Sequence, residues 1–264
     1  MKKISNFTQT YKTNPDYTWG ADQVDREYLF DYLLKDKTNL WLRSKLDLHN
    51  ISFHNYTKED ATKILKKVRE VLPETKGFIY NNMTYPESFL KHLNNLKELG
   101  MTDIFWIQDD EYFIYNSLED IEALINYYRN DPSIVNIQLG LSSSILVDKN
   151  GSFIEPKGEL ITDHLILHRT TCKDFSKFDK LHPFPSGACL INIDLLIEIL
   201  NNFNEHIKNK NAYDVESLMG ILGTKFNVQR CSLNIPFLKA YNMSGMGGSL
   251  GKSEKYKEEL NLRL

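Results

Sequence analysis

Three carboxylates follow an apolar run after a single glutamine in Ile104-Phe-Trp-Ile-Gln-Asp-Asp-Glu-Tyr-Phe-Ile114. The β-branched and aromatic residues of 104–107 predict a buried strand. Asp109, Asp110 and Glu111 at its end repel one another, so they must be paired, protonated or bound to a cation. A divalent metal such as Mn2+ or Mg2+ answers that need, because hard cations take carboxylate oxygens. The competing reading is a strand running out into a solvated acidic turn. Against it, the acids lie between Trp106 and Tyr112-Phe113-Ile114 rather than in a polar loop.

The elements that would position these acids alternate. Residues 4–11 read as a first strand, and 25–34 have helical spacing through Tyr28, Leu29, Tyr32 and Leu33. A strand over 51–55 precedes Thr57, an N-cap with Glu59 and Asp60 in its first turn. That helix carries Ala61, Ile64, Leu65, Val68 and Leu72 on one face and stops at Pro73. Strand 77–80 leads to a helix opened by Pro86, striped with Phe89, Leu90, Leu93, Leu96 and Leu99, and closed by Gly100. The order β-α-β-α-β-α-β predicts a parallel sheet with crossover helices. Ligands of such sheets bind beyond the carboxyl ends of the strands, where the acidic stretch falls.

The second half is mixed. Ser117 caps a helix with Leu118, Ile121, Leu124, Ile125 and Tyr128, and 133–139 reads as a strand. A hairpin over 145–154 is expected at Asn150-Gly151, then a strand over 160–168. Phe184-Pro-Ser-Gly-Ala-Cys-Leu-Ile-Asn192 precedes a helix with Leu195, Leu196, Ile199 and Leu200. Asn211-Ala-Tyr-Asp-Val-Glu216 opens another helix, and 225–233 is a strand candidate. The tail, 243–252, holds four of the chain's 13 glycines and leads into a short charged helix.

Composition sets outer limits. With 264 residues, 41% hydrophobic and 25% charged, the chain is an ordinary globular protein that can bury a full core. A net charge of −3 gives no electrostatic footprint for nucleic acid or an anionic membrane. No stretch reaches the roughly 20 apolar residues of a transmembrane segment, and Met1-Lys-Lys is not followed by an apolar signal region. Three scattered cysteines, Cys172, Cys189 and Cys231, lack metal-site spacing. They suggest buried thiols in a reducing, cytoplasmic compartment.

A metal on the acidic stretch would neutralise a diphosphate. Thr8, Gln9 and Thr10, at the end of the first strand, could then hydrogen-bond a base or ribose, or could be an ordinary polar strand end. The strand with Gln-Asp-Asp-Glu, then Pro-Ser-Gly-Ala-Cys-Leu-Ile-Asn, then Tyr-Asp-Val-Glu heading a helix, resembles a GT-A fold glycosyltransferase of the family 2 kind over about residues 4–235.

The resemblance implies a single α/β, Rossmann-like domain with a mixed, mostly parallel sheet flanked by helices. It implies a nucleotide-sugar half over about 1–115, an acceptor half over about 116–240, and a glycine-rich tail over 241–264. The implied activity is glycan biosynthesis: transfer from a nucleotide-diphosphate sugar, UDP-sugar favoured, to a glycan or other hydroxyl acceptor. The family's acidic D-x-D motif aligns in two ways. On Gln108-Asp109-Asp110, Asp110 ligates the metal and Gln108 or Asp109 faces the ribose; on Asp109-Asp110-Glu111, Glu111 is the ligand. Variants of the motif among relatives favour Asp110.

Asp214 and Glu216 resemble the acidic pair from which inverting members draw their general base. Asp214 is preferred, and helix capping is its alternative role. Gly187 is expected to let the backbone approach donor or acceptor. His164, His168 and His182 are further metal-ligand candidates or ordinary hydrogen-bonded histidines. Gly251-Lys252-Ser253 ends like a P-loop, but Met246 stands where that motif needs glycine. Lys252 could still close over a diphosphate. Two alternatives share the frame: a sugar-phosphate nucleotidyltransferase, which typically carries a glycine-rich basic loop after the first strand, and a non-catalytic carbohydrate- or nucleotide-binding protein.

Overall fold

The computed structural model describes residues 1–11, 30, 34–107, 111–140, 158–175, 188–202 and 212–240. The first half forms β1 (Ile4–Phe7), β2 (Gln9–Tyr11), α1 (Lys37–Lys45), β3 (Asn50–His54), α2 (Lys58–Arg69), β4 (Lys76–Tyr80), α3 (Tyr85–Glu98) and β5 (Asp103–Trp106). The second half adds β6 (Glu111–Phe113), α4 (Leu118–Asn130), β7 (Asn136–Gln138), β8 (Gly158–Leu160), β9 (Ile166–Thr171) and α5 (Cys172–Phe175). It closes with β10 (Cys189–Asn192), α6 (Ile193–Asn201), α7 (Ala212–Lys225), β11 (Gln229–Leu233) and β12 (Leu238–Ala240).

The helix starts follow local chemistry. Asp36, Thr57, Ser117 and Asn192 each accept a first-turn backbone N–H with the side chain. At α3 the Glu87 carboxylate accepts from the Thr84 N–H at 2.8 Å and from its hydroxyl at 2.6 Å.

The main sheet runs β1-β5-β10-β7-β11-β9-β8, and a second ladder runs β2-β3-β4. The two are continuous through Thr8: the Ser52 N–H donates to the Thr8 carbonyl at 2.9 Å, and the Asn6 N–H to the Leu48 carbonyl at 3.1 Å. Pairing is parallel from β4 to β5, and β10 is antiparallel to both β5 and β7. The expected mostly parallel sheet, mixed in its second half, is present. Both faces are covered, which explains the unbroken apolar run at 104–107. On one face Leu42 and Leu46 of α1 and Ile121, Leu124 and Tyr128 of α4 pack with Ile4, Phe105 and Leu190. On the other, Phe89, Leu93 and Leu96 of α3 pack with Phe7, Ile104, Trp106 and Ile191, together with Leu196 and Met219.

Several boundaries differ from expectation. The first strand divides at Thr8, where it changes ladders. The strand expected over 160–168 is two, β8 and β9, because Thr162-Asp163-His164 turns the chain: the Ile161 N–H donates to the Leu165 carbonyl at 2.8 Å. α1 and the small β6–β12 ladder were not anticipated. The expected hairpin at 145–154 and the glycine-rich tail lie outside the described residues. So does the expected helix over 25–34, apart from Phe30 and Leu34. No helix among the described residues is long and apolar enough to cross a membrane. All three cysteines are buried free thiols, and burial pushes those of Cys172 and Cys231 up to about 12.

Candidate functional site

Sheet order locates the site. From β1 the chain steps through β3 to β4 on one side, while β5 flanks β1 on the other. The connections therefore diverge between β1 and β5, the switch point where open α/β sheets bind ligands. The β1–β5 ladder ends with Phe7 opposite Trp106, and the Ile107 N–H donates to the Phe7 carbonyl at 3.1 Å. Beyond it, Gln9, Thr10 and Tyr11 pair with Ser52, Phe53 and His54 of β3.

Thr8, Gln9 and Thr10 are brought together beside this point, all at most 3% exposed. Glu111, in β6, is paired with Ala240. Gln108, Asp109, Asp110, Gly187, His182 and Lys252 lie outside the described residues. Asp214 and Glu216 fall in the first turns of α7, as the sequence predicts, but their side chains are outside the description. His164 is exposed and His168 half-buried. Among the described residues no group of three or more His, Cys, Asp or Glu could hold a metal.

A buried polar chain that the sequence reading missed runs from α3 to this point. Asn95 Nδ2 donates to the Tyr80 oxygen at 2.8 Å, which leaves Tyr80 O–H to donate to His92 Nδ1 at 2.9 Å. His92 Nε2–H then donates to Asn50 Oδ1 at 2.8 Å. Asn50 Nδ2 donates to Ser5 Oγ at 2.7 Å and to the Asn6 carbonyl. Asn6 Oδ1 accepts the Asn50 N–H at 2.8 Å, and Asn6 Nδ2 donates to Thr8 Oγ1 at 3.1 Å. Arg43 Nη2 donates to the same Thr8 oxygen at 3.0 Å, and Arg43 Nε to Asn39 Oδ1 at 2.9 Å. On the opposite face, Gln9 Oε1 accepts from the Tyr85 hydroxyl at 3.1 Å, and its Nε2 lies 3.3 Å from His54 Nε2. Thr10 Oγ1 meets the Tyr56 hydroxyl at 3.2 Å.

The chain makes a prediction about stability. Asn50→Ala leaves His92 Nε2–H without its acceptor and takes the carboxamide donor away from Ser5 Oγ and the Asn6 carbonyl, at a site with no access to water. An orphaned buried polar group costs about 1–3 kcal/mol. Urea denaturation of this variant is expected to show a loss of about 3 kcal/mol with an unchanged slope. A loss below about 1 kcal/mol, the scale of a single ordinary hydrogen bond, would show that the network is not held as a unit.

Burial governs the charges here. Desolvation pulls the His92 imidazole down to about 3 and those of His54 and His49 to about 4, with Arg43 adding to the effect at His49. Desolvation also pulls the Arg43 guanidinium down to about 10, opposed by Asp36. Of the missed residues, Asn6 left a trace in the sequence, as an amide between Ile4 and Phe7 in a strand whose four residues are all buried. Arg43 left none, since α1 reads as a polar stretch.

No family model matches the sequence, and no curated protein matches it. Solved structures do. Apo UDP-glucose pyrophosphorylase superposes with a TM-score of 0.50 and 14% identity, covering 100% of this chain and 100% of its own. UDP-glucose pyrophosphorylase complexed with UDP-glucose gives 0.47 at 13% identity, covering 100% and 98%. The inositol-1-phosphate CTP transferase from T. maritima gives 0.48 at 10% identity, covering 98% and 95%. Identities this low speak of architecture alone. The chain has a Rossmann-like mixed α/β fold, with a mostly parallel sheet flanked by helices, similar end to end to that of UDP-glucose pyrophosphorylase.

Proposed function

We propose that the chain is a transferase that handles a nucleotide-diphosphate sugar at the switch point between β1 and β5. One observation carries this reading: β5 ends beside β1 at the strand end where such sheets bind nucleotides, and the acidic stretch follows it directly in the sequence. Asp110, with Glu111 as the alternative, would hold Mn2+ or Mg2+, since carboxylate oxygens suit these hard cations. Bound there, the metal would neutralise diphosphate charge. Gln108 or Asp109 would face the ribose, with Thr8, Gln9 and Thr10 beside it and Gly187 and Lys252 also contributing.

Two reactions fit this substrate. In nucleotidyl transfer, a sugar-phosphate oxygen attacks the α-phosphorus of a nucleoside triphosphate and pyrophosphate leaves. The likeness to UDP-glucose pyrophosphorylase supports this reading better than the other. In glycosyl transfer, an acceptor hydroxyl attacks the sugar C1 and the nucleoside diphosphate leaves. A base at Asp214 or Glu216 would take the hydroxyl proton, which implies inversion. A specific observation keeps this second reading in play: after β1 the chain continues as β2, with no glycine among residues 8–14 to form a phosphate-cradling loop.

Parallel assays separate the two. Release of pyrophosphate from a nucleoside triphosphate and a sugar 1-phosphate marks the first; release of nucleoside diphosphate from a UDP-sugar with a hydroxyl acceptor marks the second. Either is expected to stop with EDTA. Nucleotide binding without turnover would favour the non-catalytic alternative. No thermal stabilisation by any nucleotide diphosphate, with or without Mn2+, would overturn the nucleotide site itself.

A further inference from the structure

Of the two arginines that are 2% exposed, Arg43 and Arg230, Arg43 is the one that contacts the end of β1 at the switch point, and this reading leaves it unused. Its guanidinium is held by Thr8 Oγ1 and Asn39 Oδ1, both neutral acceptors. The more exposed Arg129 and Arg169 each pair with a carboxylate, at 2.9 Å to Asp47 and 2.6 Å to Asp131. Among the described side chains, no carboxylate lies within ion-pairing distance of Arg43. The carboxylate of Asp36 acts on it from a distance and is itself occupied by the N–H groups of Asn39, Thr38 and Phe113. Buried charges are normally paired, because desolvation is uncompensated otherwise. This one is fixed against the first residue beyond β1, where the β1–β5 ladder ends. In a low-dielectric interior a fixed cation acts over several ångströms without contact.

We propose that Arg43 is a specificity-determining residue of the switch-point site: its guanidinium supplies the fixed positive charge that selects a diphosphate-bearing ligand over the bare nucleoside. The inference rests on the nucleotide-site reading above. Thr8 and Asn39 set the position of the charge. The neighbouring His49 contributes no competing cation, because burial and Arg43 together keep its imidazole neutral.

Calorimetry in EDTA removes any metal and isolates this term. UDP and uridine are titrated into wild type, Arg43→Gln and Arg43→Lys, with ADP, GDP or CDP and the matching nucleoside used if UDP is silent. Wild type is expected to prefer the diphosphate over the nucleoside. Arg43→Gln should lose about tenfold in diphosphate affinity with the nucleoside's affinity unchanged, and Arg43→Lys should keep the preference. Equal losses for both ligands, or no loss, would overturn the inference in favour of a purely structural arginine. If Arg43→Gln does not fold, wild type still decides: no preference for the diphosphate in EDTA overturns the proposal. Diphosphate binding only with Mn2+ sinks the Arg43 inference and leaves the nucleotide site standing. No binding under either condition sinks both.

Discussion

Asp110→Asn is expected to abolish metal-dependent turnover while leaving the fold intact. The substitution keeps size and shape but removes the negative charge that a hard cation needs. Lewis-acid stabilisation of developing phosphate charge supplies several kcal/mol, so a loss of about 10³-fold or more in kcat/KM follows. Stability should hardly change, because removing one of three adjacent like charges relieves repulsion. The decisive readout is paired: activity with Mn2+ and thermal stabilisation by nucleotide with Mn2+, both in wild type and in the variant. Glu111→Gln serves as the comparison, since the two alignments of the motif exchange the roles of Asp110 and Glu111. Full activity in both variants would end the metal-site proposal. A defect confined to Glu111→Gln would move the ligand by one residue.

The elements most legible in the sequence are those whose apolar period is bounded by capping chemistry. Thr57, Ser117 and Asn192 cap helices whose apolar stripes sit in the core, and the run at 104–107 is a strand buried on both faces. The β-α alternation then gives the parallel half of the sheet, because a right-handed crossover permits few other arrangements. The antiparallel insertion of β10 between β5 and β7 leaves no local signature, since Cys189-Leu-Ile would serve in either direction. α1 escaped for a different reason. Its buried face includes Asn39 and Arg43, polar residues that hydrophobic periodicity counts as solvent-facing.

The candidate site divides along the same line. The acidic stretch was visible because three adjacent carboxylates after an apolar strand demand explanation. The buried polar chain was not, because each member is unremarkable until folding removes it from water. Asn6, Asn50 and His92 are separated by more than 40 residues at each step and acquire meaning only as partners. Thr8 was singled out as a ligand contact, yet its hydroxyl oxygen accepts from both Asn6 and Arg43. The Asn6 Nδ2 and Arg43 Nη2 groups that reach it are both donors, so the hydroxyl retains just its own hydrogen to offer.

The same buried chain predicts that the protein is acid-labile well above the range of its carboxylates. His92 is fully buried and His54 is 4% exposed, with imidazoles held near 3 and near 4 by desolvation. Their ordinary value is about 6.5. Both are therefore neutral in the fold, while the unfolded chain takes up protons as pH falls below about 6.5. Stability must drop wherever the unfolded state binds more protons, and the slope is about 1.4 kcal/mol per pH unit for each such group. Between pH 6 and 5 these two histidines give about 2.4 kcal/mol, to which His49, also held near 4, adds in the same direction, and the loss continues down to about pH 4, where His54 begins to protonate in the fold. Depressed carboxylates such as Asp131, near 2, act only below about pH 4, so the upper window belongs to the histidines. A domain near the lower end of the ordinary range of about 5–15 kcal/mol is brought close to its midpoint by pH 4. Urea denaturation at half-unit intervals from pH 7 to 4.5 measures the slope, and His54→Gln is expected to reduce it by one proton. A flat profile between pH 6.5 and 5 would mean that these imidazoles reach water, and that the hydrogen-bonded chain from α3 to the switch point is not closed.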